Sequence, residues 1–319
     1  MNTSPNSTPG EPLSEEPLSE EPLSEESLSE ESLSEESSAG ENASLLPEDF
    51  QFSQGSLQDF DDCSRRFLLR HIEGRPYPAP EAEPIRENER RKERGVSFHE
   101  LLCQEQSGVP REAVRRQASG DEKLEVWWDR YVRREPVGET GRTYAEISLE
   151  GEVAGYPLVA TYDLIAERPD GTFEIFDWKT ARYKPERGQL ASRLQTKVYP
   201  YLLAQAGAGL TGGDPPEPEQ IKMTYWFAEH PDNPETFEYS DYNAEVDEED
   251  LQDQVGKILA GTERAHFEKT EDRTHCKFCT YRSHCGRGAQ AGNIEDGSSH
   301  LEETGSAQAD LSDVEEIEF

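Results

Sequence analysis

The sequence has 319 residues, and its 68 Asp and Glu against 32 Lys and Arg give a formal net charge of −36. No apolar run approaches the roughly 20 residues that a membrane span needs, and the N-terminus lacks a basic and then apolar signal. We therefore expect a cytoplasmic protein with no membrane partner. The acidity also argues against a surface that coats DNA broadly, because phosphate binding requires concentrated Lys and Arg.

The two ends of the chain differ in composition from its centre. Residues 1–50 contain fourteen Asp and Glu with no Lys or Arg, and residues 11–36 repeat a five-residue unit, EPLSE or ESLSE. That period fits neither a helix nor a strand, so it creates no continuous apolar face. Residues 286–319 form a second acidic segment with a single Arg. We predict disordered acidic tails at 1–50 and 286–319, and one folded domain at 51–285.

The predicted domain is itself acidic, with a net charge of −14, but its basic residues fall into three groups. Each group has two interpretations, either part of a channel that binds phosphates or a solvated helix face with interspersed Glu. The groups are Arg65, Arg66, Arg70 and Arg75; Arg86, Arg90, Arg91, Lys92 and Arg94; and Arg111, Arg115 and Arg116.

Hydrophobic periodicity predicts helices first and then strands. The expected helices, the first of them capped by Ser56, cover residues 56–72, 88–106 and 111–133. The period then changes to that of a three-stranded antiparallel meander at 144–153, 156–167 and 172–178. A helix at 187–206, strands at 220–229 and 235–240 and a helix at 244–267 complete the pattern. The predicted fold class is α+β, with helices packed around a central mixed sheet.

The end of the third strand of the meander carries the sharpest local signal. Asp177 and Lys179 share one face of this strand because side chains alternate across it. The preceding loop, residues 168–172, contains Pro169 and Gly171, which favours a three-residue connection with Gly171 in the left-handed conformation. Counting back in that register places Asp163 directly opposite Asp177.

Two facing carboxylates repel each other unless a proton or a cation lies between them. A divalent ion would resolve the conflict, and hard oxygen ligands suit Mg²⁺ or Mn²⁺. Such an ion binds a scissile phosphate and lowers the pKa of a bound water, while Lys179 orients that water or stabilises developing charge. The alternative is an ordinary hairpin in which Asp163 and Asp177 face solvent and Lys179 lies at the rim.

Further candidates flank this hairpin. His99, in the sequence Gly95-Val96-Ser97-Phe98-His99, would add a nitrogen ligand if its helix faces the sheet, although a lone helical His is more often a satisfied structural residue. Gln195 and Tyr199 lie four residues apart on one helix face and so could contact DNA or position Lys179. Pro200 predicts a kink or a restart of that helix. Glu146, which opens the first strand of the meander, is a further candidate for a carboxylate near the site, although the abundance of Glu in this strand argues against a specific role.

The cysteines suggest a second metal centre. Structural disulfides are rare in the cytoplasm, and Cys276, Cys279 and Cys285 form a C-x-x-C-x5-C cluster with three soft ligands. Cys63, on the buried side of the first predicted helix, is the candidate for the fourth. Four thiolates fit an iron–sulfur cluster or tetrahedral zinc, and His275 or His284 could substitute in a zinc site. We expect Cys103 to be an ordinary packed thiol.

The order of these motifs resembles the RecB-like branch of the PD-(D/E)xK nucleases, which includes the nuclease domains of RecB and AddB and the CRISPR-associated four-cysteine exonucleases. The family pattern is G-x-x-x-H, an Asp in a strand, D-x-K-T and Q-x-x-x-Y. It corresponds here to Gly95–His99, Asp163, Asp177–Thr180 and Gln195–Tyr199. The resemblance covers residues 56–285.

This resemblance implies a restriction-endonuclease-like core. It also implies roles for several residues: His99, Asp163 and Asp177 as metal ligands, the Trp178 carbonyl as a further ligand, and Lys179 as the catalytic lysine. A [4Fe–4S] cluster would be held by Cys63, Cys276, Cys279 and Cys285, and it would fasten the first helix to the last segment of the domain.

We therefore expect a Mg²⁺- or Mn²⁺-dependent deoxyribonuclease that acts from strand ends on DNA that is single-stranded or has free ends. DNA repair, recombination and CRISPR adaptation are the expected settings. The chain has no G-x-x-x-x-G-K-[ST] sequence, so a helicase or other motor would be a separate partner. The alternatives are a non-catalytic DNA-binding or scaffold subunit of a nuclease complex and a zinc-stapled interaction module.

Overall fold

A computed structural model describes residues 44–76, 83–277 and 279–288, with the backbone alone described at 83–89. The predicted acidic tails therefore lie outside the described residues, apart from 44–50 and 286–288. The segment 44–50 packs against the domain. Leu46 is buried, and the Leu45 N–H donates a hydrogen bond to the Gly261 carbonyl at 3.0 Å.

A six-stranded mixed sheet organises the domain, and it confirms the predicted fold class. The strand order is β1-β3-β4-β5-β6, with β2 paired to β3. Strands β2, β3 and β4 form the predicted antiparallel meander, whereas β1 pairs with β3 and β4 pairs with β5 in parallel. The strands are β1 Phe52–Ser53, β2 Arg142–Val153, β3 Tyr156–Glu167, β4 Phe173–Lys179, β5 Ile221–Phe227 and β6 Glu235–Glu238.

Helices flank the sheet. They are α1 Gln54–Asp62, α2 Ser64–Phe67, α3 Glu83–Gln106, α4 Arg111–Ala118, α5 Glu122–Arg134, α6 Arg187–Ala191, α7 Leu194–Ala206, α8 Ala208–Thr211 and α9 Asp241–Leu259. A π-helical turn, Leu68–Ile72, and two 3₁₀ turns, Pro218–Gln220 and Arg264–His266, supplement them. Within the described part of the chain, no helix combines the length and the apolar character that a membrane crossing requires.

The first predicted helix, at residues 56–72, is wrong in two respects: it begins earlier, and it is interrupted at Cys63. It begins at Gln54 with Ser53 as its cap, and the Ser56 N–H donates to Ser53 Oγ at 3.1 Å while the Ser53 N–H donates to Ser56 Oγ at 2.9 Å. It ends at Asp62, because Cys63 has extended backbone angles. The break coincides with docking of a distant segment, since the Arg65 N–H donates to the Glu268 carbonyl at 3.0 Å.

Three other predicted helices also differ from the structure. The helix predicted at 111–133 is two helices, since Asp121 caps α5 by accepting the N–H groups of Lys123 and Leu124 at 2.8 and 3.1 Å. The helix predicted at 187–206 divides after Ala191, and α7 then continues through Pro200 without the predicted restart. The last helix starts at Asp241, capped by Ser240, and ends at Leu259.

Two apolar clusters cover the sheet. The larger one includes side chains of α1, α7 and α9, and the smaller one includes side chains of α3, α4 and α5. Trp178 of β4 belongs to the smaller cluster, where its ring packs edge-on against Trp226 at 6.0 Å. Asp177 and Lys179 point to the opposite face, so the strand turns its polar residues toward α7.

Candidate active site

The hairpin between β3 and β4 has the predicted register. Leu164 pairs with Phe176 and Glu167 pairs with Phe173, which places Asp163 opposite Asp177 one step beyond the last ladder pair. The Arg168 N–H donates to the Thr172 carbonyl at 2.7 Å, and Gly171 has a φ of +84°. The three-residue loop with a left-handed glycine is thus confirmed.

Asp177, Lys179 and Gln195 form a buried polar group beside this hairpin. Lys179 Nζ lies 2.8 Å from Asp177 Oδ2 and donates to Gln195 Oε1 at 3.0 Å. Gln195 Nε2 in turn donates to Asp177 Oδ1. Asp177 and Lys179 are 3% and 8% exposed, which contradicts the alternative of a hairpin with solvent-facing residues.

Asp163 connects the hairpin to helix α3. Its Oδ2 accepts the Trp178 backbone N–H at 2.8 Å, and its Oδ1 lies 3.2 Å from His99 Nδ1. The structure therefore brings His99 to the carboxylates, although it is 64 residues away in sequence from Asp163. One carboxylate thus holds β3, β4 and α3 together at this point.

The ionisable groups of the site perturb one another. Burial disfavours a charged His99, but the Asp163 carboxylate outweighs it and raises the pKa of His99 to about 9. Burial likewise disfavours ionised Asp163, yet the His99 imidazolium and the Trp178 N–H lower the pKa of Asp163. Burial and the Asp163 carboxylate raise the pKa of Asp177 against the opposing effect of Lys179. The two carboxylates are therefore opposed by two cationic groups, the His99 imidazolium and the Lys179 ammonium.

One glycine and one tyrosine of the sequence motifs lie close to the residues of the site. A Cβ on Gly95 would lie 3.2 Å from Thr180 Oγ1, so glycine lets α3 approach the chain directly after Lys179. Tyr199 is buried, and burial together with the Asp177 and Asp163 carboxylates raises its pKa. Its side chain therefore faces the site despite the proline that follows it.

Glu146, the candidate that the Glu-rich strand disfavoured, lies beside these ligands, although its side chain is exposed. Ligand atoms of Glu146, His99 and Asp163 all lie within 4.8 Å of one another. Glu146 has a φ of +48° inside a long strand, a left-handed conformation that is strained for any residue other than glycine. Partial desolvation of its carboxyl by the surrounding groups, together with the neighbouring Asp163 carboxylate, raises the pKa of Glu146 to about 7.

The sequence does contain a signal for Glu146. Strands β2 and β3 are joined by Ala154 and Gly155, which have φ values of +50° and +81°, a pattern typical of a two-residue hairpin turn. The register counted from this turn pairs Ala145 with Leu164, which puts Glu146 opposite Asp163. The same counting that related Asp163 to Asp177 would therefore have identified Glu146.

Several residues of the predicted basic groups form ion pairs within the domain, while the Arg86 side chain lies outside the described residues. Arg66 Nε lies 2.7 Å from Asp59 Oδ1, and Arg70 Nη1 lies 3.1 Å from Asp59 Oδ2. Arg94 Nε lies 2.9 Å from Asp121 Oδ2, and Arg111 bridges two glutamates. The first group thus contributes to internal ion pairs, which favours the structural interpretation over a phosphate channel for these side chains.

The four cysteines of the predicted cluster line one cavity. Its other lining residues include four basic side chains and His275; the basic ones are Arg66, Lys269, Arg282 and Arg287. Cys63 Sγ accepts the Thr270 N–H at 3.4 Å, and Arg287 Nη1 donates to Cys276 Sγ at 2.8 Å. Cys103 is not among the residues that line this cavity.

Comparison with known proteins identified a matching family and similar solved structures. A family model described as the PD-(D/E)XK nuclease superfamily matches residues 51–286. A search of curated proteins gave no match. A solved structure named "Putative exonuclease" from Eubacterium rectale aligns at 9% identity with a TM-score of 0.44, over 70% of this chain and 85% of its own. The structure of SSO0001 aligns at 14% identity with a TM-score of 0.35, over 77% and 90%.

Proposed function

Because the chain belongs to the PD-(D/E)XK nuclease superfamily, we propose that it is a Mg²⁺- or Mn²⁺-dependent deoxyribonuclease of the RecB-like branch that degrades DNA from its ends. The observation that carries this proposal is the buried Lys179 ammonium, held between Asp177 and Gln195 beside Asp163. An ammonium fixed among carboxylates in this way suits the stabilisation of charge on a phosphate.

The proposed cation ligands are His99, Asp163, Asp177 and the Trp178 carbonyl. The donor set fits a divalent ion, because it combines hard carboxylate oxygens with one imidazole nitrogen and carries more negative than positive charge. When bound, the ion supplies Lewis-acid stabilisation of the phosphate and a lowered pKa for a coordinated water. The Asp163 carboxylate is held for this role by the Trp178 N–H.

Lys179 is the proposed catalytic side chain, and Gln195 and Tyr199 position it. Gln195 contacts both Asp177 and Lys179, so it fixes the distance between the carboxylate and the ammonium. Tyr199 packs on Tyr162, with ring centroids 4.9 Å apart, and its carbonyl accepts the Tyr162 hydroxyl at 2.9 Å. These contacts hold the α7 side chains against the strands that carry Asp163 and Asp177.

We also propose that Cys63, Cys276, Cys279 and Cys285 hold a [4Fe–4S] cluster, with Zn²⁺ as the alternative. Support comes from their shared cavity and from its basic lining, which suits four thiolates around a metal centre. Burial raises the pKa values of Cys279 and Cys285, so metal binding would release protons from this cavity. Its role would be structural, since it joins the segment after α1 to the end of the domain.

The decisive experiment is digestion of end-labelled single-stranded and double-stranded DNA by anaerobically purified protein in Mg²⁺ or Mn²⁺. Asp177→Ala and Lys179→Ala are expected to lower the cleavage rate by about 10²–10³-fold or more, since the first removes a proposed cation ligand and the second removes the ammonium proposed to stabilise charge on the phosphate. Asp170→Ala and Lys222→Ala are matched controls on the hairpin loop and on β5. A free end requirement would appear as loss of cleavage on closed circular DNA.

Two other functions remain as outcomes of this test. DNA binding without cleavage in either metal would favour a non-catalytic DNA-binding or scaffold subunit. A colourless protein that contains zinc and does not bind DNA would favour a zinc-stapled interaction module. A cytoplasmic role in DNA repair, recombination or CRISPR adaptation, beside a helicase or another repair or CRISPR protein, is part of the proposal and is tested by affinity purification of the intact chain from cells.

A further inference from the structure

We propose that Glu146 is a ligand of the active-site cation, and that His99, Glu146 and Asp163 form the site that the cation occupies before DNA binds. This inference rests on the proposed nuclease function and refines it. The pattern that identified the family assigns ligands to α3, β3 and β4, whereas Glu146 belongs to β2, on the other side of Asp163.

The first support is geometric. His99, Glu146 and Asp163 each offer one ligand atom, and the three atoms lie within 4.8 Å of one another. That spacing allows one ion to contact all three with small side-chain adjustments, because metal–ligand distances of about 2.0–2.4 Å span it. Asp163 is central to the arrangement, since its Oδ2 is fixed by Trp178 and its Oδ1 faces His99.

The second support is that Asp177 is engaged elsewhere. Both oxygens of Asp177 contact other side chains, Oδ2 with the Lys179 ammonium and Oδ1 with the Gln195 amide. An ion at Asp177 would therefore have to share an oxygen that already contacts the Lys179 ammonium or the Gln195 amide. Glu146 is exposed at the surface and makes no comparable contact among the described residues, so it is free to coordinate.

The third support is the backbone at Glu146. The ladder between β2 and β3 keeps its register on both sides of this residue, with Ala145 opposite Leu164 and Ile147 opposite Tyr162. Glu146 is the residue of β2 that has a positive φ, at +48°. The strand therefore turns this one residue relative to its pleat, and the ligand atom of its side chain lies close to those of His99 and Asp163.

The chemistry of these three groups indicates the class of cation. One imidazole nitrogen and two carboxylates suit Mn²⁺ and similar transition ions, whereas Mg²⁺ prefers an all-oxygen shell and retains its waters. We therefore expect the DNA-free protein to bind Mn²⁺ more tightly than Mg²⁺. Engagement of Asp177 would then accompany substrate binding.

The test is calorimetric titration of MnCl₂ into anaerobically purified full-length protein without DNA, beside Glu146→Gln, Asp177→Asn and the control Glu150→Gln on the same strand. Glu146→Gln is expected to weaken Mn²⁺ binding by about 10–100-fold or more, because loss of a direct ligand should cost at least as much as loss of a residue that only supports a ligand. Asp177→Asn is expected to have a smaller effect, and Glu150→Gln none.

Glu146→Gly keeps the test informative if Glu146→Gln folds poorly, because glycine adopts the same backbone angles without strain. This variant is expected to melt no lower than the parent protein and yet to lose Mn²⁺ affinity. Unchanged Mn²⁺ affinity in both Glu146 variants, or no Mn²⁺ binding by the parent protein, overturns the proposal. Glu146-dependent binding without DNA cleavage would support this site while refuting the nuclease function, so the two failures are distinguishable.

Discussion

Replacing Cys63 with Ser should lower the unfolding free energy of the whole domain if the four cysteines hold a metal centre. The substitution changes one sulfur to oxygen and retains an acceptor for the Thr270 N–H, which now lies 3.4 Å from Cys63 Sγ. Its effect therefore isolates metal ligation from local hydrogen bonding. The proposed metal centre would close a loop of 213 residues between Cys63 and Cys276.

The size of the expected effect follows from that loop. Releasing a crosslink of this length returns to the unfolded chain an entropy worth about 5 kcal/mol at 25 °C, taken as an upper bound on the loss of unfolding free energy. For a domain of this size the equivalent fall in Tm is about 10–20 °C. Cys103→Ser is the matched control, because Cys103 lies on α3 and outside the cysteine-lined cavity.

The assay is anaerobic guanidinium unfolding, followed by circular dichroism, with metal content and absorbance near 400 nm measured on the same samples. Cys63→Ser is expected to lose metal and to unfold at lower denaturant, while Cys103→Ser retains both properties. Absorbance near 400 nm in the parent protein distinguishes iron from zinc. The reasoning is refuted if Cys63→Ser keeps its full metal content and the midpoint of the parent protein.

Three further predictions concern stability. Burial raises the pKa of Asp247 to about 6. The protonated carboxyl therefore stabilises the folded state fully below pH 4, and this stabilisation is lost as the pH rises through about 6. Asp247→Asn should then raise the unfolding free energy at pH 8, by at most about 3 kcal/mol, but not at pH 4. Gly256→Ala should raise the unfolding free energy by up to about 1 kcal/mol, because a Cβ at this position of α9 would meet open space and alanine favours a helix. Gly261→Ala should lower the unfolding free energy by about 1–3 kcal/mol, because its Cβ would lie 2.5 Å from Phe267 Cζ. Asp59→Asn should cost about 3–5 kcal/mol in denaturant unfolding, because it leaves the buried Arg66 guanidinium without the carboxylate 2.7 Å away.

Each of these predictions has a result that contradicts it. For Asp247→Asn it is an equal stability change at pH 4 and pH 8 in thermal melts. For Gly256→Ala and Gly261→Ala it is a change of unfolding free energy that has the same sign in both variants. For Asp59→Asn it is an unfolding midpoint within error of the parent protein, which would mean that Arg66 is satisfied by Asp62 alone.

Local chemistry explains why the hairpin of the active site was predictable from the sequence. Pro169 and Gly171 restrict the loop to a few conformations, and the loop sets the register of both strands. Asp163, Asp177 and Lys179 follow from that register by counting. The meander and the mixed sheet were predictable for a related reason, since alternation of side chains is a property of each strand alone.

The interruption at Cys63 was not predictable in this way. Residues 54–72 have an apolar pattern suited to one helix and contain neither proline nor an interior glycine after Gly55. The interruption coincides with contacts made by residues more than 200 positions later, including the Glu268 carbonyl that accepts both the Arg65 N–H and the Ser64 hydroxyl. Tertiary contacts of this kind leave no trace in the period of the local sequence.

The position of His99 falls between these cases. The sequence places it on a helix but does not say which face of the sheet that helix covers, because α3 and α7 both have apolar sides. Its approach to Asp163 depends on packing among large aromatic side chains, such as Phe98 against Trp127 at 5.6 Å. The motif order of a resembled family supplied the pairing that periodicity could not.

The shortest strand of the sheet has a consequence for handling the protein. Strand β1 is two residues long, yet it covers the edge of β3 at Leu158 and Val159 and leads directly into α1, which ends beside Cys63. If the cysteines hold the proposed metal and α1 detaches when that metal is lost, β1 leaves with it and an apolar strand edge becomes available to neighbouring molecules. Such edges pair readily between chains and promote aggregation. Loss of solubility in air would then be an early sign of damage at the cysteines, ahead of any change at Asp163 and Asp177.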